Sequence, residues 1–326
     1  MLALWAAYMI KPVWTVCRHG FNMLNELLRL KSRKHIIFVA LFLLLPAVFP
    51  GQIIARIAGF SDATGKALDG FFDRHKETAG RKVAVFDLDG TLMGQVPYYA
   101  ADEFFLQESE AGLITPQCLP ETAGVSPSSS AALNYVAIGR ELGHKYGLLW
   151  RVKTLKGQKA AAVSRRAMDF YTKHYLRKIF APMKELVDIL HEKGFEVWVI
   201  TGSPEIYVNE FVSLHFGIHP CRVIGSRTII HDGTLTDIPA GPSMHRDGKV
   251  EAIETFIKAK PLLVAGNAVG DLDMLKFSRD LSMVINPPTA LRKKSEELGW
   301  LIELIPDSQL PDSPRLHLKY GLSLNN

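Results

Sequence analysis

The chain has 326 residues, 48% of them hydrophobic, and a net charge of +5 from 38 basic and 33 acidic residues. This length exceeds that of a usual single domain, so it predicts one catalytic domain with a smaller added module. The three cysteines, Cys17, Cys118 and Cys221, lack metal-ligand spacing and a disulfide framework, and a Cys118–Cys221 bridge would require export of the domain.

The first apolar stretch, Met1 to Cys17, is broken by Lys11 and Pro12 and is too short to predict a membrane span. It is either an interfacial segment or lies ahead of a true start at Met23. The second stretch, Ile36 to Ile54, contains no charge and follows four basic residues. These residues are Arg29, Lys31, Arg33 and Lys34. Basic residues followed by an apolar run are typical of a signal peptide or a signal anchor.

This pattern predicts that the basic end stays in the cytoplasm and that the rest of the chain is exported. Because no small-x-small cleavage site follows the run, we favour an uncleaved membrane anchor with an extracytoplasmic catalytic domain. A cleaved periplasmic protein and a domain on the cytoplasmic face are the alternatives. A buried core helix fits less well, because Pro46 and Pro50 interrupt the run.

An amphipathic helix is predicted over Gly59 to Gly80, just before the stretch Lys82 to Met93, KVAVFDLDGTLM. In that stretch, apolar residues Val83 to Phe86 predict a buried strand that ends in Asp87 and Asp89. Gly90 permits a tight turn whose N–H groups can face an anion held near the two carboxylates. A strand that ends in paired acids therefore indicates a catalytic site.

Two other interpretations of Asp87 to Gly90 compete with the catalytic one. A calcium loop would need a third acidic position and a later Glu, and a helix rather than a strand before it. A hairpin turn would need an alternating strand soon after Leu92, which the sequence lacks. The catalytic interpretation is therefore preferred.

Residues 94–180 have a long helical pattern with a loop rich in Pro, Ser and Thr from Pro116 to Ser130. An insertion directly after the acidic turn would lie over the carboxylates, which predicts a lid. Six aromatic residues in it either line a substrate pocket or form the helical core. They are Tyr98, Tyr99, Phe104, Phe105, Tyr146 and Trp150.

A basic block runs from Arg140 to Lys178, where the only acids are Glu141 and Asp169. This block either favours an anionic substrate or membrane surface, or is a solvated helical face. No aromatic interleaving or nucleic-acid-binding signature accompanies it, so the sequence predicts no nucleic-acid partner. Its basic residues are Arg140, Lys145, Arg151, Lys153, Lys156, Lys159, Arg165, Arg166, Lys173, Arg177 and Lys178.

After a predicted helix from Pro182 to His191, closed at Gly194, the strand Phe195 to Ile200 ends in Thr201, Gly202 and Ser203. The Thr201 hydroxyl and the Gly202 N–H are donors for a phosphate oxygen, whereas Thr201 as a simple turn residue is the alternative. Two functional groups at a second strand end strengthen the prediction of a site at this edge of a sheet.

Strands near Arg222 to Ser226 and Thr228 to His231 lead to a hairpin turn at Asp232 and Gly233. Lys249 comes directly before a predicted helix, Val250 to Lys258, where the helix dipole disfavours a cation, so an anion nearby would compensate. A solvated lysine is the alternative.

The segment Pro261 to Leu275, PLLVAGNAVGDLDML, then repeats the pattern of an apolar strand with polar residues at its end. Alternating strands and helices predict a parallel sheet with its site at the carboxyl ends of the strands.

The motifs FDLDGT, Thr201 after a strand, Lys249 and GNAVGD occur in an order that resembles the haloacid dehalogenase-like superfamily. The similarity is strongest to the branch that includes phosphoserine phosphatase, and it covers about Val83 to Ile305. The resemblance implies an α/β fold with a Rossmann-like parallel sheet and a helical cap inserted after the first motif. We predict a catalytic core of residues 59–93 and 181–326, a cap of residues 94–180, and an N-terminal membrane segment of residues 1–58.

The resemblance also implies a role for each matched residue. Asp87 would be the nucleophile that forms an aspartyl phosphate, and Asp89 the general acid and base. Thr201, Gly202 and Lys249 would bind the phosphoryl group. Magnesium would bind Asp87, the Asp89 carbonyl and residue 267, and Asp271 would position a water ligand or Lys249.

The chain departs from the family pattern at Asn267, where most relatives carry Asp. An amide oxygen still binds a hard cation, but the loss of one negative charge should lower magnesium affinity. The predicted function is a magnesium-dependent phosphomonoester hydrolase acting on a lipid phosphate or a phosphorylated head group. A phosphatase of soluble metabolites resembling phosphoserine or phosphocholine is one alternative, and a catalytically impaired phosphate-binding or scaffold protein is another.

Overall fold

The computed structural model of the protein describes residues 57–114 and 130–324. The predicted membrane segment Ile36 to Ile54 and most of the predicted loop Pro116 to Ser130 lie outside these residues, as do Cys17 and Cys118. Within the described ranges, no helix is both long and apolar enough to cross a bilayer. Cys221 is exposed and its thiol is free.

The first described helix, α1, covers Asp62–His75, so it ends earlier than the predicted Gly80. Ser61 begins it as an N-cap, because its hydroxyl accepts the N–H of Thr64 at 3.2 Å. The same hydroxyl donates to Glu303 at 2.8 Å, which attaches the helix to the far edge of the sheet. The helix buries Leu68, Phe71 and Phe72 against the domain.

Six parallel strands form the central sheet in the order β3-β2-β1-β6-β7-β8. Strand β1 occupies the centre, and its four apolar residues are fully buried, as expected for a parallel sheet covered on both faces. The strands are β1 (Val83–Phe86), β2 (Glu196–Pro204), β3 (Val223–Ser226), β6 (Leu263–Gly266), β7 (Leu281–Ile285) and β8 (Leu301–Glu303).

The predicted α/β fold with a parallel sheet is therefore confirmed. Strand β1 pairs with β2 on one side and with β6 on the other, so the direction of strand order reverses at β1. Such a switch point opens a crevice at the carboxyl ends of the strands, where ligands bind in open α/β sheets. The helices of the core are α6 (Ala181–Glu192), α7 (Glu205–Phe216), α8 (Asp247–Ala252), α9 (Leu272–Lys276), α10 (Thr289–Leu298) and α11 (Leu316–Lys319).

In its described part, the segment 94–180, which we predicted as a cap, contains four α-helices. Phe104 and Phe105 are fully buried there, where Phe104 contacts Phe170 and Phe105 contacts Trp150. These aromatic residues therefore build the interior of the insertion, while the predicted domain boundaries stay predictions. The helices are α2 (Ala100–Glu110), α3 (Ala131–Glu141), α4 (His144–Lys153) and α5 (Ala160–His174).

A two-stranded antiparallel hairpin joins β4 (Thr228–His231) to β5 (Thr234–Pro239). Its turn residues, Asp232 and Gly233, both have positive φ angles of 47° and 69°, as a tight hairpin turn requires. The hairpin prediction is thus confirmed. The hairpin also contacts the insertion, because the Gly157 N–H donates to the Leu235 carbonyl at 2.8 Å and the Leu235 N–H donates to the Gln158 carbonyl at 2.9 Å.

Candidate active site

The turn after β1 brings the two predicted catalytic acids beside Asn267. Gly90 has a φ of 83°, a conformation that favours glycine. A Cβ at Gly90 would lie 2.0 Å from the Asn267 amide nitrogen and 2.7 Å from the Gln95 side-chain oxygen, so only glycine fits. Asp87 and Asp89 flank this turn and are both buried. The chain thus places two carboxylates and an amide side chain around one tight turn.

Lys249 links the ends of two strands through its ammonium group. Its Nζ lies 2.6 Å from Asp87 Oδ1 and 2.6 Å from Asp271 Oδ1, and it donates to the Ile200 carbonyl at 3.0 Å. Lys249 lies inside helix α8 rather than just before a helix, which corrects the predicted helix start. The anion that we predicted near Lys249 is therefore a pair of buried carboxylates.

These contacts shift the pKa of the groups involved. Burial, and then the negative charge of Asp271, raise the pKa of Asp87 to about 7, although Lys249 opposes this shift. Burial alone would lower the pKa of Lys249, but Asp271 and Asp87 together raise it above its ordinary value. Lys249 therefore remains an ammonium, whereas the Asp87 carboxyl gains or loses its proton near neutral pH.

Asp271 also shapes the loop that carries Asn267. Its second oxygen accepts the backbone N–H groups of Asn267 at 2.9 Å and of Ala268 at 3.0 Å. Gly266 is needed for this approach, because a Cβ there would lie 2.6 Å from the Asp271 Cβ. One carboxylate thus holds both the lysine and the loop of the predicted metal ligand.

Asp89 contacts Ser203, a residue that no motif assigned to the site. The Ser203 hydroxyl donates to Asp89 Oδ2 at 2.6 Å, whereas Oδ1 is buried and has no hydrogen-bond partner among the described residues. Burial raises the pKa of Asp89, and the hydrogen bond from Ser203 opposes that shift. A free oxygen on a carboxyl group with a raised pKa suits proton transfer to a bound molecule.

Thr201 and Gly202 follow Ile200 within strand β2, which extends to Pro204 rather than ending at Ile200. Thr201 is buried, and its hydroxyl accepts the N–H of Ser203 at 3.1 Å. The Gly202 carbonyl accepts hydrogen bonds from Arg151 and from Ser226, each at 3.1 Å. Gly202 is therefore a point where the insertion contacts the core.

Arg151 was one of the basic residues predicted to face solvent, an anionic substrate or a membrane, but its side chain is only 2% exposed. Its guanidinium pairs with Asp102 and donates to the Tyr135 hydroxyl at 3.4 Å, and that hydroxyl donates to Asp102 at 2.8 Å. Lys178 is also buried. Other members of the block are exposed and paired, as Lys156 is with Asp237. The solvated interpretation thus holds for part of the block only.

A cavity of about 820 Å³ opens over the two acids. Tyr98 and Tyr99 line this cavity, whereas Tyr146 is 61% exposed, and a role of the two tyrosines in substrate binding stays a prediction. The core contributes Thr201 and Lys249 to the cavity wall, the insertion contributes His144, Leu148 and Arg151, and the C-terminal residues 320–323 complete it.

The site has the chemistry to receive a cation. Two buried carboxylates, Asp87 and Asp271, share one ammonium group, and the buried Asp89 adds a third carboxyl group to the site, which leaves negative charge in a buried place. Over the described residues, no three His, Cys, Asp or Glu side chains form a metal-binding group. A cation here would therefore need the Asn267 amide oxygen and a backbone carbonyl in addition to carboxylate oxygens.

The chain is similar in sequence to known hydrolases. Residues 84–276 match the haloacid dehalogenase-like hydrolase family. Phosphoserine phosphatase SerB1 of Mycobacterium tuberculosis is 24% identical over 230 residues, which are 67% of this chain and 69% of the relative. A phosphoserine phosphatase of Streptococcus thermophilus is 31% identical over 164 residues, 48% of this chain and 71% of the relative.

The fold is also found among solved structures. A protein of unknown function from Bordetella pertussis Tohama I superposes with a TM-score of 0.55 at 17% sequence identity. The superposition covers 69% of this chain and 98% of that protein. At this identity the likeness supports the fold alone.

Proposed function

Because this chain belongs to the haloacid dehalogenase-like hydrolase family, on its phosphoserine phosphatase-like branch, we propose that Asp87 and Asp89 hydrolyse a phosphate monoester through an aspartyl phosphate. The enzyme is a phosphatase. The observation that carries the assignment of Asp87 is its 2.6 Å contact with Lys249, which is itself fixed by Asp271. A cation held beside a buried carboxylate offsets the repulsion between that carboxylate and a phosphate dianion.

In the first half of the proposed reaction, an Asp87 oxygen attacks phosphorus and the bond from phosphorus to the alkoxide oxygen breaks. Asp89 gives its proton to the leaving alkoxide. In the second half, water attacks the aspartyl phosphate and Asp89 takes the water proton, which releases inorganic phosphate and restores Asp87. The raised pKa of Asp89 and its free Oδ1 support both proton transfers.

We assign the binding of the phosphoryl oxygens to Thr201, Gly202 and Lys249. Lys249 would neutralise charge that develops on these oxygens, since its raised pKa keeps it protonated. The Ser203 hydroxyl would keep Asp89 in one orientation through its 2.6 Å hydrogen bond. Ser203 is thus a positioning residue for the general acid.

We assign the magnesium ligands to Asp87, the Asp89 carbonyl and the Asn267 amide oxygen, with Asp271 holding the Asn267 loop. Magnesium, when bound, supplies positive charge that polarises the phosphoryl group. The excess of carboxylates over ammonium groups in the buried site supports this assignment. Asn267 provides a neutral ligand, so the binding of the ion relies on Asp87 for its charge.

For the substrate, two classes follow from the sequence and the site. The relatives named as phosphoserine phosphatases support a soluble phosphomonoester. The assignment of a lipid phosphate or a phosphorylated head group as substrate rests on the apolar run Ile36 to Ile54 and on the basic block alone. Tyr98 and Tyr99 in the cavity wall would suit a phosphorylated amine such as phosphocholine.

Phosphate release from a panel of esters with magnesium tests this proposal. The panel contains phosphoserine, phosphocholine, phosphoglycolate and a dispersed lipid phosphate. We expect release from one class, and a loss of at least about 10³-fold in the Asp87→Asn variant. Asp69→Asn, which removes an exposed carboxylate on helix α1, is the matched control. Release that persists in Asp87→Asn and in a chelator would contradict the aspartyl-phosphate reaction.

A further inference from the structure

The chain after β8 does not end against the sheet but crosses to the insertion. We call residues 307–323 the C-terminal strap. Its first residue, Asp307, accepts the N–H groups of Gln95 at 2.8 Å and Val96 at 3.2 Å, and pairs with Lys178. Gln95 and Lys178 lie on the two connections between core and insertion. The strap therefore begins by holding both connections together.

The middle of the strap is attached to helix α2 through a fully buried carboxylate. Glu103 accepts the N–H groups of Leu316 and His317, each at 3.0 Å, and it also contacts the His317 imidazole. The His317 ring stacks on Tyr98 with centroids 5.2 Å apart and planes 10° apart. Since Tyr98 lines the cavity, this attachment lies directly behind the cavity wall.

The last described part of the strap reaches the cavity itself. Tyr320 donates to Glu110 of helix α2 at 3.2 Å, and Lys319 pairs with the same carboxylate. Residues 320–323 then line the cavity, together with side chains of the insertion. Because Glu103 and Glu110 both belong to helix α2, this part of the wall is fixed to the insertion.

We propose that residues 320–323 are a specificity-determining wall of the pocket that receives the leaving group. This role rests on the proposed phosphatase function. In the proposed reaction the phosphoryl group is bound at Asp87, and the cavity over Asp87 is lined by the insertion and by residues 320–323, so the leaving group would extend into that cavity. The wall limits how far it extends, and the enzyme therefore favours compact leaving groups over long ones.

Two phosphate esters of similar chemistry but different length test the wall. Phenyl phosphate and 4-biphenylyl phosphate have leaving groups of similar basicity, so the ratio of their kcat/KM values reports the room in the pocket. Deleting residues 321–326 should raise the ratio of biphenylyl to phenyl ester by about 10-fold, and Leu322→Trp should lower it. Leu318→Ala changes a residue of the strap that is 64% exposed and should leave the ratio unchanged.

A ratio that stays constant in the deletion and in Leu322→Trp overturns the proposal. So does an equal change in Leu318→Ala. Loss of both activities in Asp87→Asn, measured in parallel, tests the phosphatase function separately from the wall. The two failures are distinguishable, because the wall alters only the ratio.

A second measurement is independent of turnover. Val136 lies in the cavity wall on helix α3, and Val136→Cys can be labelled in a chain whose three native cysteines are replaced by serine. We expect the deletion to increase the labelling rate by a bulky maleimide more than the rate by a small methanethiosulfonate. Equal changes for both reagents, or no change, would show that residues 320–323 do not limit the cavity. This result decides the proposal even if neither ester is hydrolysed.

Discussion

Two buried clusters of charge face the same cavity, one in the core and one in the insertion. In the core, Lys249 contacts two carboxylates, Asp87 and Asp271. In the insertion, Arg151 pairs with one carboxylate, Asp102, and the Tyr135 hydroxyl completes the group. Both cations are buried and hydrogen bonded to a backbone carbonyl of β2, since Lys249 donates to Ile200 and Arg151 to Gly202.

The two clusters differ in their net charge. The insertion cluster is neutral, because one guanidinium faces one carboxylate, although the Arg151 Nε is buried without a hydrogen-bond partner among the described residues. Its ion pair and its bond to the Gly202 carbonyl hold α4 against the core. The core cluster retains negative charge and a carboxyl group, Asp89, with a free oxygen. A buried cluster with uncompensated charge indicates a site for a charged ligand, and a neutral buried ion pair indicates a structural contact. Variants of each cluster test this distinction.

Arg151→Met should lower the free energy of unfolding by about 3–5 kcal/mol, because it leaves Asp102 buried without a cation. Urea denaturation measures this change. Adding Asp102→Asn should restore part of the loss, since the remaining buried group is then uncharged. Arg74→Met, which removes an ion pair whose arginine is 54% exposed, is the control and should change stability by less than about 1 kcal/mol. Equal effects of the buried and exposed variants would contradict a structural role for Arg151.

Lys249→Met should lower kcat by about 10²–10³-fold, because the charge that develops on the phosphoryl oxygens loses its cation. Steady-state phosphate release with saturating magnesium provides the measurement. Lys66→Met removes an exposed ammonium group on helix α1 and should leave kcat unchanged. If kcat fell more in Arg151→Met than in Lys249→Met, the insertion cluster rather than the core cluster would carry the chemistry.

Asn267→Asp should increase magnesium affinity by roughly 10- to 100-fold, because it adds a negative charge to the ligand set of the core cluster. Isothermal titration calorimetry with magnesium reports the change directly. Asn209→Asp adds the same charge on helix α7, outside the cavity wall, and should have no such effect. Unchanged affinity in Asn267→Asp would mean that position 267 does not touch the ion.

Magnesium affinity should be about tenfold weaker at pH 6 than at pH 8, since the pKa of Asp87 is raised to about 7. Below pH 7, Asp87 carries a proton that the cation must displace, whereas above pH 7 it is already ionised. Titrations in buffers of different ionisation enthalpy would detect the released proton. Asp87→Asn should remove the dependence, and a dependence that survives this variant would assign the proton to another group.

The sequence predicted those parts of the molecule that local patterns determine. The bounds of β1, the hairpin at Asp232 and the helix after Pro182 follow from apolar runs and turn residues of a few positions. The residues assigned to the site by motif, including Asp87, Lys249 and Asp271, lie together in the structure. Their catalytic roles stay predictions.

The remaining parts depend on contacts between distant residues. Asp102 and Arg151 pair across two helices, and neither belongs to a motif, so Arg151 was indistinguishable from its solvated neighbours in the basic block. Ser203 lies two residues after Thr201, and only the fold reveals that it reaches Asp89. The strap likewise carries no local pattern that predicts its contact with Glu103.

The position of the insertion has a consequence for the order in which the protein folds. Strand β1 emerges early during synthesis, yet its two neighbours in the sheet begin only at Glu196 and Leu263. Helices α2 to α5 can make local contacts while β1 still lacks both partners. The apolar strand β1 therefore stays unpaired until the insertion and β2 have been synthesised. During this interval the chain is prone to aggregation, because the strand edges of β1 are exposed.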